Sequence, residues 1–341
     1  MDRSLVRKIG FGFSLTLPVF GLLVWLLDVN EIHTALRSAD QSVLPWVFVF
    51  VICWLLAWGL SFRVVLRSLD IPISVPWSFL LFSGATFSNN VTPFGQAGGE
   101  PITAYFISRT SDTKYETGLA AIASVDTLNF IPSFVFIVGG IGYYALVLSL
   151  SSLVKGVAIY VGGVGLVVFG GGYCVWSYRT ALTDRLASRV SISLHRILSV
   201  IPRVSTPSQS TIKQRIVGFG DSIETVAANP TRLLFALGYS GVGWLCQVGA
   251  LWAALYAVDA TAPVVVLLFA IPLSNVAGAT PLPGGAGAID ATLIALLVSA
   301  TGIESTLAAA AVIIFRGFVY GVPIVIGGSV LAAITAKRVS F

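Results

Sequence analysis

Six continuous apolar runs, each about 20 residues or longer, most strongly constrain the fold of this chain. A helix of that length crosses the ~30 Å hydrocarbon core of a bilayer. Only 10% of the 341 residues are charged and the mean hydropathy is +0.91, whereas a soluble domain carries about 25% charge. The sequence therefore predicts an all-α integral membrane protein with full spans at 9–27, 43–62, 118–148, 156–178, 232–257 and 304–336.

Two further stretches, 77–109 and 262–302, are apolar but interrupted. The first break lies around Thr92-Pro93 and the second around Thr280-Pro281, each within a glycine-rich segment. Each half of these stretches has about 10–15 residues, which is short for a membrane crossing, and proline prevents one continuous helix. The pattern predicts two re-entrant helical hairpins that each enter and leave on the same side.

The basic residues test this layout, because lysine and arginine collect in cytoplasmic loops. If the hairpins do not cross, 17 of the 20 basic residues share one side with both termini, and two, Arg37 and Lys155, face the other. Arg316 alone is left inside a span. This asymmetry predicts a multi-pass plasma-membrane protein with cytoplasmic N- and C-termini.

The two breaks are related by an internal repeat, whose offset places Thr92-Pro93 on Thr280-Pro281. Positions 92–145 and 280–333 share 14 identities in 54 gapless positions. We expect a single transmembrane domain, 1–341, with repeat one at 9–148 and repeat two at 156–336. Three crossings per repeat give the halves opposite topology, and inverted repeats with broken helices are typical of transporters. The alternative is that glycine and proline only allow tight helix packing.

Four ionisable side chains lie at membrane depth, where a charge is costly unless it meets a partner or a wet cavity. Glu100 and Asp290 follow the glycine-rich tips, where a carboxylate either stabilises a helix N-terminus or binds a proton, a cation or a cationic headgroup. Asp126 and Arg316 occupy nearly matching places in the two repeats. They either form an ion pair with each other, or Arg316 holds a phosphate.

Other candidate features are polar segments without a catalytic signature. Asn90 and Asn275 end the first halves of the hairpins, where they cap carbonyls or line a cavity. The loop 179–231 carries two basic amphipathic stretches, which suit an anionic inner leaflet or a solvated connector. The sequence lacks phosphate-loop, nucleophile and metal signatures, so we expect no enzyme activity, cofactor, metal or nucleic-acid partner.

Two motifs in this order resemble the lysylphosphatidylglycerol synthase transmembrane, or flippase-like, family. The first is NNVTPFGQAGGEP with the Asp126 span, and the second is PLPGGAGAIDATLIALL with AAAAVIIFRGFVYGVPIVIGG. The resemblance covers about residues 5–336, and Asp290 stands where the family usually has glutamate. The matching motif residues are Asn90, Pro93, Gly98, Glu100, Asp126, Pro283, Gly284, Gly285, Gly287, Asp290 and Arg316.

The resemblance implies transport of a lipid between leaflets. Family members include the membrane half of the multiple peptide resistance factor, which moves aminoacylated phospholipids, and archaeal relatives linked to polyprenyl-phosphate-linked glycans. We expect no soluble aminoacyl-transferase domain in a chain that runs to Phe341. The expected substrate is a phospholipid or polyprenyl-phosphate lipid, bound by Arg316, Glu100, Asp126, Asp290, Asn90, Asn275, Gly98, Gly284, Gly285 and Gly287. A small-solute or ion transporter, a non-transporting partner of a cell-envelope glycosyltransferase or lipid synthase, and a homo-oligomer stay open.

Overall fold

The computed structural model describes residues 29–147 and 221–336, apart from 93, 94, 223, 279 and 281. Within those residues the regular structure is helical, as predicted, and contains no strand. The predicted spans 9–27 and 156–178, and loop residues 179–220, lie outside the described residues. The helices are α1 Val29–Ser38, α2 Leu44–Ser68, α3 Val75–Val91, α4 Gln96–Thr110, α5 Tyr115–Val147, α6 Pro230–Ala257, α7 Val264–Val276, α8 Ala288–Thr301 and α9 Ser305–Ala336, with a 3-10 turn at Pro283–Gly285.

Five described segments are long and apolar enough to cross a membrane: Leu44–Ser68, Tyr115–Tyr144, Pro230–Ala257, Pro283–Thr301 and Ser305–Ile334. Four of them coincide with predicted full spans, which confirms that the chain has a membrane protein's helices. The segment Pro283–Thr301 has 19 residues, longer than the half-hairpin that the sequence predicted. The 3-10 turn continues into α8 through the glycine-rich segment and adds this length.

Both interrupted stretches contain a helix, a break and a second helix. Helix α3 begins at Ser74, whose hydroxyl accepts the Trp77 N–H at 3.4 Å, and it ends where Thr92 turns to an extended conformation. Helix α4 starts after Gly95, which has a φ of 54°, a conformation that glycine adopts without strain. Helices α7 and α8 flank the second break in the same way. Whether these pairs re-enter the membrane stays a prediction.

The order and length of the helices repeat with the offset found in the sequence. When position 92 is placed on position 280, the ends of α2, α3, α4 and α5 each fall within four residues of the ends of α6, α7, α8 and α9. The helix packing repeats as well, because α3 packs on α9 while α7 packs on α5. Each contact therefore joins a helix of one half to a helix of the other, and a two-fold rotation that interchanges the halves would interchange the two contacts.

The equivalent helices α2 and α6 pack along their lengths and run antiparallel. The hydroxyl of Ser61 donates to the Ala236 carbonyl at 3.0 Å, and the Trp58 indole N–H donates to the Ser240 carbonyl at 3.0 Å. Further along, a Cβ at Gly249 would lie 2.6 Å from the Phe50 ring. Residue numbers rise on α2 as they fall on α6, so the two helices point in opposite directions.

Glycines allow the close approach of α9 to α3. A Cβ at Gly327 would strike the backbone carbonyl of Ser83, and one at Gly328 would lie 3.2 Å from the Phe87 ring. In the other half, a Cβ at Gly140 would lie 3.2 Å from the Val265 carbonyl and from Phe269. The repeat alignment matches Gly140 with Gly328, so the two halves have glycine at corresponding helix contacts on α5 and α9.

Replacing Gly327 with alanine is expected to destabilise the protein by about 1–3 kcal/mol, because the new methyl group meets backbone rather than a mobile side chain. Gly321, on the same helix, has open space around its Cα, so Gly321→Ala is a matched control that is expected to be neutral or to stabilise by up to ~1 kcal/mol. Thermal unfolding of the two variants in detergent compares them. Equal unfolding temperatures would contradict this packing.

Candidate functional site

The two breaks meet at the side chain of Tyr320 on α9. The Tyr320 hydroxyl lies 2.6 Å from the carbonyl oxygen of Pro283 at the second break and 3.1 Å from that of Asn90 beside the first. A Cβ at Gly95 would lie 3.9 Å from the Gly278 carbonyl. Because one hydroxyl has one proton to donate, Tyr320 shares a single donor between the two breaks.

Arg316 lies four residues before Tyr320 and on the same side of α9. Its Nε donates to Asp290 Oδ1 at 2.7 Å, its NH2 group donates to the Gly284 carbonyl at 3.3 Å, and its guanidinium lies 5.0 Å from the centre of the Tyr320 ring. The side chains of Arg316 and Asp290 are only 14% and 15% exposed. These contacts use two of the five guanidinium N–H groups among the residues that the structure describes.

Asp290 also stabilises the start of α8. Its Oδ2 accepts the Gly287 N–H at 2.7 Å, which satisfies one of the amide groups that a helix N-terminus leaves without partners. Both oxygens of Asp290 therefore have donors. The structure thus gives Asp290 the helix-terminal role expected from its position and, in addition, makes it the partner of Arg316, where the sequence alternative paired Arg316 with Asp126.

The glycines of the second break have conformations and contacts that exclude larger residues. Gly284, Gly285 and Gly287 have φ values of 54°, 64° and 83°. A Cβ at Gly284 would strike the Tyr320 hydroxyl, and one at Gly285 would lie 2.6 Å from the Cα of Gly278. At the first break, the Gly98 N–H donates to the Gly95 carbonyl at 3.1 Å in the first turn of α4.

The remaining two acidic residues form a second pair. Glu100 on α4 and Asp126 on α5, two helices that pack on each other, lie close enough for their carboxyl groups to interact. Asp126 is 8% exposed, and its Oδ2 has no donor among the described residues. Two ionised carboxylates offer only acceptors, so a hydrogen bond between them requires one proton.

The two pairs have the same spacing, and under the repeat offset their members fall within two residues of each other. Glu100 and Asp126 are 26 positions apart, as are Asp290 and Arg316. Asp126 and Arg316 also each lie eleven residues after the first residue of their helix, Tyr115 or Ser305, which is ~17 Å along it. One half therefore has an acid–acid pair where the other half has an acid–arginine pair.

Several buried polar atoms near the breaks have no hydrogen-bond partner among the described residues: Asn89 Oδ1, Asn90 Nδ2 and Thr280 Oγ1. Such atoms usually face water or a ligand. Asn275 differs, because its side chain is exposed and its backbone carbonyl accepts the Gly278 N–H at 2.9 Å. The structure thus places Asn90 beside the meeting point of the breaks, and it gives Asn275 no contact with Arg316 or Tyr320.

Sequence reasoning missed Tyr320 and Asn129. Tyr320 follows Arg316 by one helical turn, a spacing that places both side chains on one face. Asn129 follows Asp126 by three residues and is 5% exposed. Its Oδ1 accepts the Ser240 hydroxyl at 2.7 Å, its backbone carbonyl accepts the Trp244 indole N–H at 2.9 Å, and its Nδ2 has no partner within the described part of the chain. Each residue lies three or four positions after a charged residue at membrane depth, and this helical spacing was the signal in the sequence that could have identified both.

The arrangement offers charge and hydrogen-bond donors but no evident nucleophile. The described residues contain no cluster of three or more histidine, cysteine or acidic side chains that could hold a metal ion. The guanidinium of Arg316 and the glycine-rich N-terminus of α8 are groups that bind phosphate in proteins. Chemically, the site suits the binding of a polar, phosphate-containing group.

Comparison with known proteins finds relatives that match nearly the whole chain. A "UPF0104 membrane protein" of Methanothermobacter thermautotrophicus is 27% identical over 335 residues, covering 94% of this chain and 92% of that protein. "UPF0104 membrane protein PH1989" of Pyrococcus horikoshii is 23% identical over 315 residues, covering 90% and 91%. The family model described as "Lysylphosphatidylglycerol synthase TM region" matches residues 9–327, which confirms the resemblance seen in the motifs, and the chain is therefore a membrane protein that belongs to this family.

Proposed function

We propose that this protein is a non-enzymatic flippase that moves a phospholipid or a polyprenyl-phosphate-linked lipid between membrane leaflets. The observation that carries the proposal is the meeting of the two breaks around Arg316 and Tyr320. Irregular backbone at membrane depth is tolerated where it is buried in protein or lines a cavity. A largely covered arginine whose contacts with described residues use two of its N–H groups, beside a helix N-terminus, supports a lipid phosphate as the group that enters.

The antiparallel packing of α2 on α6 supports an inverted repeat. If both helices cross the membrane, as their lengths allow, then equivalent helices of the two repeats cross in opposite directions. The two breaks then approach from opposite faces of the membrane and meet within it. This is the arrangement in which a transporter opens its midplane site alternately to each side.

In this scheme the lipid headgroup enters between the breaks while its tails stay in the bilayer. The phosphate would bind Arg316 and the amides at the start of α8, and the partnerless Asn90 and Thr280 side-chain atoms would bind other polar groups of the headgroup. Arg316 is largely covered, so the structure corresponds to a closed state. Opening would break the hydrogen bond of the Tyr320 hydroxyl to the carbonyl of Asn90 or of Pro283.

The distribution of basic residues supports a plasma-membrane orientation with both termini in the cytoplasm. The loop 179–231 would then lie against the anionic inner leaflet through its basic amphipathic stretches. Glycines and proline at the breaks fit the packing alternative as well, but tight helix packing alone does not require a charged side chain such as Arg316. A charged group at that depth is expected where a polar substrate passes.

Reconstituted protein tests the proposal directly. Purified wild-type protein in liposomes is expected to move fluorescent phospholipids or polyprenyl-phosphates between leaflets. Arg316→Gln is expected to slow this exchange by roughly ten- to a hundredfold, because a charge-assisted hydrogen bond to phosphate is worth about 1.5–3 kcal/mol. Arg316→Lys keeps the charge without the planar fork and should retain part of the activity.

Arg109→Gln is the matched control, because Arg109 is exposed at the end of α4, where it stacks 5.4 Å from the Tyr105 ring centre. It is expected to leave the exchange rate unchanged. Absence of leaflet exchange for every lipid tested would reject the flippase. Transport of a small solute or ion by the same liposomes would then favour the secondary transporter, and cellular function that survives Arg316→Gln would favour the non-transporting partner.

A further inference from the structure

Of the three carboxylates near the breaks, Asp290 has its charge and its hydrogen-bonding capacity satisfied. Arg316 and the Gly287 amide each donate to one of its oxygens at 2.7 Å. A carboxylate with an arginine partner and a helix N-terminus is stabilised in its ionised form. Both oxygens of Asp290 are therefore already engaged by donors, and one of these donors carries a positive charge.

The equivalent pair in the first half lacks the arginine. Asp126 stands where the second half has Arg316, so Glu100 faces a second carboxyl group instead of a cation. Two carboxylates in contact cannot both stay ionised away from water, because like charges repel strongly there. Something positive must occupy this pair, and the smallest such group is a proton.

Among the residues that the structure describes, no contact places a basic side chain of a neighbouring helix at this pair. Helices α3 and α7, which pack on α4 and α5, contain no charged residue. Helices α2 and α6 also pack on α5, but their basic residues lie in the last six residues of α2 and the first three of α6. Arg63 Nε donates to the Ile73 carbonyl at 2.9 Å, and Arg232 donates to the Arg67 carbonyl at 3.0 Å.

A second, independent feature beside the pair points to an exchangeable ligand. Asn129 lies one helical turn beyond Asp126 and is 5% exposed, yet its Nδ2 has no partner among the described residues. Side chains on a helix tilt towards its N-terminus, so the Asn129 amide leans towards Asp126. An unsatisfied donor one helical turn from the unsatisfied Asp126 Oδ2 fits a water molecule that links the carboxyl pair to its surroundings.

We propose that Glu100 and Asp126 together hold one exchangeable proton, and that its uptake and release accompany the lipid movement of the proposed function, on which this coupling rests. Glu100 is partly exposed and four residues from the start of α4, so it exchanges the proton with water. Asp126 is the buried member that retains it. Each cycle takes a proton from one side of the membrane and returns it to the other, so a pH gradient drives the lipid.

Infrared difference spectroscopy tests the proton site without any transport. Purified wild-type protein, titrated in H₂O and in D₂O, is expected to show the carbonyl stretch of a buried protonated carboxyl group. Asp126→Asn should remove this band, whereas Asp290→Asn should leave it in place. A wild-type spectrum without the band, or a band that survives in Asp126→Asn and Glu100→Gln alike, would overturn the proton site.

Transport under gradients tests the coupling. In liposomes of phosphatidylcholine and phosphatidylglycerol, reversing an imposed pH gradient is expected to change the direction of net wild-type lipid movement. Glu100→Gln and Asp126→Asn should make it insensitive to the gradient. Asp112→Asn, a surface substitution at a φ of 50° that asparagine tolerates, is the control that should behave as wild type.

The outcomes separate this inference from the flippase itself. Wild-type exchange that ignores the pH gradient but responds to a sodium gradient would replace the proton with a metal cation and overturn the proposal. Exchange that ignores both gradients would overturn the coupling and leave the flippase intact. Absence of any exchange, with the infrared band still present, would reject the flippase and the coupling while the proton site stands.

Discussion

Replacing Asp290 with alanine is expected to destabilise the protein by about 3–5 kcal/mol and to abolish transport, because removing one partner of a buried pair leaves an uncompensated charge. The change leaves Arg316, only 14% exposed, without its carboxylate. It also leaves the Gly287 amide at the start of α8 without its acceptor. Thermal or denaturant unfolding in detergent measures the first effect, and leaflet exchange in liposomes measures the second.

A double variant separates stability from function. Asp290→Asn combined with Arg316→Met removes both charges while the asparagine oxygen can still accept the Gly287 N–H. Replacing a buried ion pair by neutral groups of similar volume is often nearly neutral for stability, so the double variant should unfold close to wild type and still fail to transport. Glu304→Ala, at an exposed carboxylate, is the control and should change stability by less than about 0.5 kcal/mol. Restored transport in the double variant would show that Arg316 serves the fold alone.

The sequence predicted the membrane architecture well because each of its signals is local. Apolar runs marked α2, α5, α6 and α9, and proline with glycine marked both breaks. The offset of the internal repeat anticipated the ends of the repeated helices. The sequence underestimated the length of the segment Pro283–Thr301. In the structure Gly284 and Gly285 adopt positive φ values within a 3-10 turn. The sequence shows only that glycine permits such a turn.

The partners of the buried charges could not be predicted from position alone. Asp126 and Arg316 match in the repeat, and this match suggested that they pair with each other. In the structure, each instead contacts the acidic residue that starts the second helix of its own half, Glu100 or Asp290. Matching places in two halves mark symmetry-related positions, which come into contact only near the axis. The equal spacing of the two partners within each half was the better guide.

Removing the hydroxyl of Tyr320 is expected to loosen the contact between the two breaks. In Tyr320→Phe the ring still packs beside Arg316, but the hydrogen bonds to the carbonyls of Asn90 and Pro283 are lost. Because the single proton serves one acceptor at a time, the loss equals about one hydrogen bond, roughly 0.5–1.5 kcal/mol. If opening separates the breaks, the open population should rise by roughly two- to tenfold.

Thiol labelling measures this population. In a background without the native Cys53, Cys174 and Cys246, a cysteine replacing Asn90 reports access to the junction, because its labelling by a water-soluble maleimide follows the fraction of open protein. Tyr320→Phe should speed labelling by roughly the same two- to tenfold, and leaflet exchange should accelerate with it. Tyr256→Phe removes a hydroxyl from an exposed tyrosine and should change neither rate. Unchanged labelling in Tyr320→Phe would mean that the junction opens elsewhere and that Tyr320 does not hold the breaks together.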